Sequence, residues 1–228
     1  MNRRTFLGSI AAATALSTAR SSAIRSRRRT FHVLHPSGRF LFAINDVDNY
    51  QGLPTGFVEA FAIELRSGHL ALINRQALSL SSTFPRHCAV SPDGNHMVVA
   101  AYGGGTYNVL PIQADGALGR VSQIIKEIGR GADPVKQASA HPHSVVFHPS
   151  GRFLISTDFG SDRVNVFQFE NGKMIRVLQK SAAAGSGPAH IAMSADGFAL
   201  TVSHELRPLV TRYYFDDRTG TITEYFNG

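Results

Sequence analysis

The heptapeptide His35-Pro36-Ser37-Gly38-Arg39-Phe40-Leu41 returns letter for letter as His148-Pro149-Ser150-Gly151-Arg152-Phe153-Leu154. Weaker copies stand at Ser91-Pro92-Asp93-Gly94 and Ser194-Ala195-Asp196-Gly197. The turn glycines Gly38, Gly94, Gly151 and Gly197 are 56, 57 and 46 residues apart. Self-similarity at this period marks stacked supersecondary units, and it decides the fold before any single residue does.

Each copy joins two apolar runs through a tight turn, as in Ser144-Val145-Val146-Phe147 before the turn and Phe153-Leu154-Ile155-Ser156 after it. Proline presets φ at the first turn position and glycine supplies the positive φ, so the turn closes a hairpin. A second turn glycine follows in every unit, at Gly68, Gly116, Gly172 and Gly220. Between the two lies an alternating run such as Val164-Asn165-Val166-Phe167-Gln168-Phe169, the period of a half-buried strand. Another apolar run, such as Ile175-Arg176-Val177-Leu178, comes after it. Each unit therefore reads as a four-stranded antiparallel meander of about 50 residues, which is the size and content of a propeller blade. Strands are expected near 31–35, 39–45, 55–65 and 70–77 in the first unit, and the later units near 87, 143 and 189. The fold class is all-β, a β-propeller with four four-stranded blades over residues 30–228.

The formal charge of +7 is misleading. Residues 1–29 hold seven arginines (Arg3, Arg4, Arg20, Arg25, Arg27, Arg28 and Arg29) and no acidic residue, the first being Asp46, and residues 30–228 balance to zero. The folded part thus gives no electrostatic warrant for nucleic-acid binding. Asn2-Arg3-Arg4-Thr5-Phe6-Leu7 resembles a twin-arginine export signal, and the Ala-rich stretch from Ile10 to Leu16 is too short for a permanent membrane anchor. Residues 1–29 are read as export signal and linker, with a periplasmic or extracellular destination. The single cysteine, Cys88, leaves no intramolecular disulfide to form.

The longest polar connection, Lys126 to Pro142, ends in Ala140-His141-Pro142-His143. Loops at one end of a propeller surround its channel, so titratable groups there are the first candidates for chemistry. His141, His143 and His148 raise the question of a metal, but one His-x-His without a nearby Cys or Glu is a weak ligand set. No metal or cofactor is expected. General acid–base work suits histidine better. Asp158-Phe159-Gly160-Ser161-Asp162 reads as a hairpin turn whose acids bond local amides. His87 and His190 each stand two residues after a proline, Pro85 and Pro188, and such repetition argues first for a histidine–backbone bond between blades. Glu205 differs: it follows the apolar run Ala199-Leu200-Thr201-Val202 where no turn or cap needs a carboxylate. Asn45-Asp46 and Tyr102 occupy corresponding strand ends, which should face the same mouth of the ring.

Together these stretches resemble the seven-bladed propeller lactonases, which include 6-phosphogluconolactonases and 3-carboxy-cis,cis-muconate lactonizing enzymes. The resemblance runs over residues 30–228. It rests on 35–45, on Lys136-Gln137 with His141-Pro142-His143-Ser144-Val145, on Thr157 to Val164, and on Gly187-Pro188-Ala189-His190 with His204-Glu205-Leu206. It implies seven blades, four of which the present units would supply, so that the chain reads as part of a larger ring. It also implies a small-molecule lactone as substrate. By resemblance the catalytic histidine falls on His143 and the catalytic glutamate on Glu205, with Gln137, His141, His190 and Asp158 as substrate-binding candidates. The family's arginine before the fourth inner strand falls on Ala189, so that cation is missing. Two rival readings are a muconate-type cycloisomerase and an exported, non-catalytic propeller binding a sugar or a protein. Oligomeric state is not legible in the sequence.

Overall fold

A computed structural model describes residues 30–225; the signal and linker read into 1–29 lie outside the described residues. The chain forms four antiparallel meanders, each a four-stranded sheet in sequential order. The first comprises β1 (Thr30–Leu34), β2 (Phe40–Asn45), β3 (Phe57–Ile63) and β4 (Leu70–Ala77). The second comprises β5 (Pro85–Val90), β6 (His96–Ala101), β7 (Thr106–Pro111) and β8 (Gln123–Lys126). The third runs through β9 (Pro142–Phe147), β10 (Phe153–Asp158), β11 (Arg163–Glu170) and β12 (Lys173–Ser181). The fourth holds β13 (Pro188–Met193), β14 (Ala199–His204), β15 (Val210–Asp216) and β16 (Thr221–Glu224). Strands β1, β5, β9 and β13 are neighbours in that order, so the first strand of each blade is the inner one. Among the described residues the helix content is one 3₁₀ turn, Phe159–Ser161, where a plain hairpin turn was expected.

Later blades begin at Pro85, Pro142 and Pro188, one or two residues before the expected starts. Proline lacks an amide hydrogen and so is tolerated as the first residue of a strand.

Between blades the apolar side chains form three layers. Phe42, Ile44 and Val58 pack on Met97, Val99 and Leu110. Val98, Ala100 and Tyr107 pack on Val145, Leu154 and Phe167. Ile155, Val164 and Val166 pack on Leu200, Val202 and Tyr213. Alternate residues of one strand thus enter different layers, as Leu154 and Ile155 do. The run at 164–169 was expected to be half-buried, yet Val164, Asn165, Val166 and Phe167 are all fully buried. A blade flanked on both faces has no solvent side, so alternation marks which neighbour is met rather than inside and outside.

The repeated heptapeptide is an inter-blade latch. His35 Nε2 lies 3.0 Å from the Gly94 carbonyl of the next blade, and His148 makes the same backbone bond at Gly197. Each ring is fixed from its own side by a turn serine: His35 Nδ1 lies 2.8 Å from Ser37 Oγ, and His148 Nδ1 2.7 Å from Ser150 Oγ. Gly94 and Gly197 carry φ of +77° and +79°, and a methyl on either would overlap the incoming imidazole. Phe40 and Phe153 seat against Gly116 and Gly220 of the following blade in the same way.

Candidate functional site

The inner strands of the second, third and fourth blades carry a bulge at the same place. Pro85 pairs with Ala101 and His87 with Ala100, leaving Arg86 extra. Pro142 pairs with Asp158 and Ser144 with Thr157, leaving His143 extra. Pro188 pairs with His204 and Ile191 with Val202, so Ala189 and His190 together face one residue. A bulge breaks the ladder locally and re-aims side chains. Here it turns Arg86, His143 and His190 into one cleft of about 210 Å³, lined by Phe31, Asp46, Pro85, Arg86, His143, His190 and Glu205.

Glu205 follows β14 and is held through its backbone. Its amide donates to the Gly187 carbonyl at 2.9 Å, and the Leu206 amide donates to the Ser186 carbonyl. The 185–187 loop is itself fixed by Asp162, whose carboxylate accepts the amides of Gly185, Ser186 and Gly187. From this support the Glu205 side chain, half exposed, brings Oε1 to 3.3 Å from His143 Nε2 and 3.7 Å from His190 Nε2. The two imidazoles stand edge to face, 4.9 Å apart at 88°. His143 is 3% exposed, which decides its chemistry. Burial above all, then the neighbouring His190, Arg86 and His87, push its pKa down to about 3, while the Ala189 backbone opposes the shift. His143 is therefore neutral at neutral pH.

The other residues singled out in the sequence divide sharply. His190 lies in the cleft and is exposed, whereas His87 accepts the Val145 amide of the next blade at 3.4 Å. The expected histidine–backbone bond thus exists at His87, and His190 faces Glu205 in its place. Asp46 lines the cleft and Tyr102 flanks it, stacked on His141 at 4.3 Å. His141 Nδ1 lies 2.9 Å from the Tyr102 carbonyl, and His141 does not line the cleft.

Gln137 and Asp158 are fully buried and committed to scaffolding. Gln137 Nε2 donates to Asp162 Oδ1 at 2.8 Å and to the Phe159 carbonyl at 2.7 Å, while its Oε1 accepts the Asp133 amide. Asp158 accepts the amides of His141, Gly160 and Ser161 and the Ser161 hydroxyl. Gln137 holds the acid that shapes the Glu205 support, and Asp158 fixes the approach to His143.

Arg86 was missed. It occupies the position after proline that His143 holds in the third blade and Ala189 in the fourth, so aligning the Pro85, Pro142 and Pro188 units would have found it. The metal question also changes residues. His141, His143 and His148 do not converge, whereas ligand atoms of His143, His190 and Glu205 lie within 4.8 Å of one another. Metal-bound imidazoles hand their second nitrogen to an acceptor. His143 Nδ1 is buried with no hydrogen-bond partner, and the Arg86 guanidinium shares the cleft, so the trio suits proton transfer better than a cation.

Meanders stacked around inner strands define a β-propeller architecture, with an imidazole–carboxylate cleft where the second, third and fourth blades meet. The chain belongs to the Lactonase, 7-bladed beta-propeller family, whose model matches residues 9–227. It is 26% identical over 195 residues to the 6-phosphogluconolactonase of Bacillus subtilis, covering 86% of this chain and 54% of that protein. The 6-phosphogluconolactonase of Formosa agariphila is 27% identical over 173 residues, 74% of this chain and 48% of that one. Among solved structures, the periplasmic gluconolactonase PpgL of Pseudomonas aeruginosa superposes with a TM-score of 0.76 at 28% identity, covering 86% of this chain and 56% of its own. The chain spans about half the length of the curated relatives it matches.

Proposed function

We propose that the cleft hydrolyses a sugar lactone, with His143 as general base and Glu205 as its charge partner. The observation that carries this reading is the 3.3 Å approach of His143 Nε2 to Glu205 Oε1 across two blades, in a cleft open to solvent. The names of the Bacillus subtilis and Pseudomonas aeruginosa proteins support a lactone as substrate. A water in the cleft gives its proton to His143 while its oxygen bonds to the lactone carbonyl carbon. The ring C–O bond then breaks, and the leaving alkoxide takes the proton back. Burial makes the imidazolium costly, and the role assigned to the adjacent carboxylate is to offset that cost as the proton moves. Turnover of glucono-δ-lactone and its 6-phosphate by the purified protein, and its loss on changing His143 or Glu205, tests the reading. A non-catalytic propeller would turn over neither. Dialysis against EDTA is expected to leave the rate unchanged; a loss restored by zinc would reassign His143, His190 and Glu205 as ligands.

We further propose export by the twin-arginine route to the periplasm or beyond. Paired arginines ahead of Thr5-Phe6-Leu7 support it, as does the periplasmic neighbour. Among the described residues no helix is long and apolar enough to cross a membrane. Replacing Arg3 and Arg4 together by lysine is expected to leave the precursor in the cytoplasm, measured by fractionation. Undiminished export would show the pair to be incidental.

A further inference from the structure

We infer that Arg86 is the specificity-determining cation of the cleft, binding an anionic group on the substrate at the second-blade wall while the lactone carbonyl faces His143 and Glu205. This rests on the lactonase reading and adds to it the residue that selects, among lactones, those carrying a phosphate or a free carboxylate.

Arg86 is the extra residue of the β5 bulge, so its side chain is aimed at the cleft rather than into the blade. Its guanidinium carbon lies 4.8 Å from the Tyr102 ring centroid, which orients the plane and leaves its edge free. Among the described residues no carboxylate comes within 4.0 Å of it, whereas Arg75, Arg152 and Arg176 each have one. Its Nε is buried without a hydrogen-bond partner. A half-buried guanidinium with an unused donor, at the wall of a concave site, is completed by a planar or tetrahedral oxyanion. Asp46, in the same cleft, has a buried Oδ1 without a partner, which gives that wall an acceptor for a sugar hydroxyl.

Arg86 holds in the second blade the position after proline that Ala189 holds in the fourth, so the cation stands on the second-blade wall.

The test compares kcat/KM for 6-phosphoglucono-δ-lactone and glucono-δ-lactone in the native protein, R86Q and R86K, with melting temperature as a folding control. A charge-assisted hydrogen-bonding pair supports a fall in the phosphorylated-to-neutral ratio of about 10- to 100-fold in R86Q. R86K should fall between, since a point charge lacks the guanidinium fork. An unchanged ratio in R86Q overturns the proposal. Calorimetry with 6-phosphogluconate, glucarate and gluconate reads Arg86 without turnover, so that failure of the lactonase reading stays distinguishable. The first two should bind more tightly than gluconate and lose that advantage in R86Q, and their order ranks phosphate against carboxylate. Equal or undetectable binding of all three overturns the proposal.

Discussion

His143→Ala is expected to lower lactone hydrolysis about 100-fold or more, the scale set by losing a positioned general base. Glu205→Gln keeps the shape of its side chain and removes its charge, so it should depress kcat with little change in KM. The two effects should not add. Both groups serve one proton, and removing the second after the first is lost should cost little more. The pH profile carries an independent signature. Protonating His143 abolishes the base, so activity should be present above its pKa and lost below it. With that pKa pushed to about 3, kcat/KM should run flat through 6.5, the ordinary imidazole value. An acid limb centred near 6.5 would point to a different base, and rates untouched by both substitutions would remove the acid–base assignment altogether. His148→Ala is a useful contrast, because that ring belongs to the latch at the far end of the inner strand and should leave the chemistry alone.

Gly197→Ala is expected to destabilise the fold by about 2–4 kcal/mol, combining backbone strain with overpacking. The φ of +79° disfavours any side chain, and the added methyl would run into the His148 ring. Gly38→Ala separates the two terms: its φ is +70°, and nothing lies within 4 Å of the added carbon. It should cost only the strain, about 1 kcal/mol. Chemical denaturation of both variants measures the difference, and equal losses would mean that the latch contributes nothing. Combining Gly197→Ala with His148→Ala should recover part of the overpacking cost, because the obstructing ring is gone.

The blades were legible because their punctuation is local: proline and glycine fix turn geometry within a few residues, and the turn glycine recurs four times, three of them with a proline. His143 and Glu205 were singled out through resemblance, and what the structure adds is their 3.3 Å approach, which only the packing of two blades produces. Gln137 and Asp158 misled for a physical reason. Polar residues in a long loop look like a ligand site, and whether their hydrogen bonds go to substrate or to backbone depends on burial that a sequence does not display. Arg86 was obscured by the opposite effect: as one of 23 basic residues it carried no local mark, and its importance comes from the bulge at Pro85.

In the latch between the first and second blades, and again between the third and fourth, the histidine and phenylalanine come from one blade and both glycines from the next. Between the second and third, His96 stands at the phenylalanine position and meets Gly172. The second and third blades therefore each carry a plug on one flank and a socket on the other, and the joint has a direction. A tandem duplication of one blade's coding sequence would copy both halves at once, so the new copy would arrive able to join its parent. Lengthening such an array in this way requires no new interface.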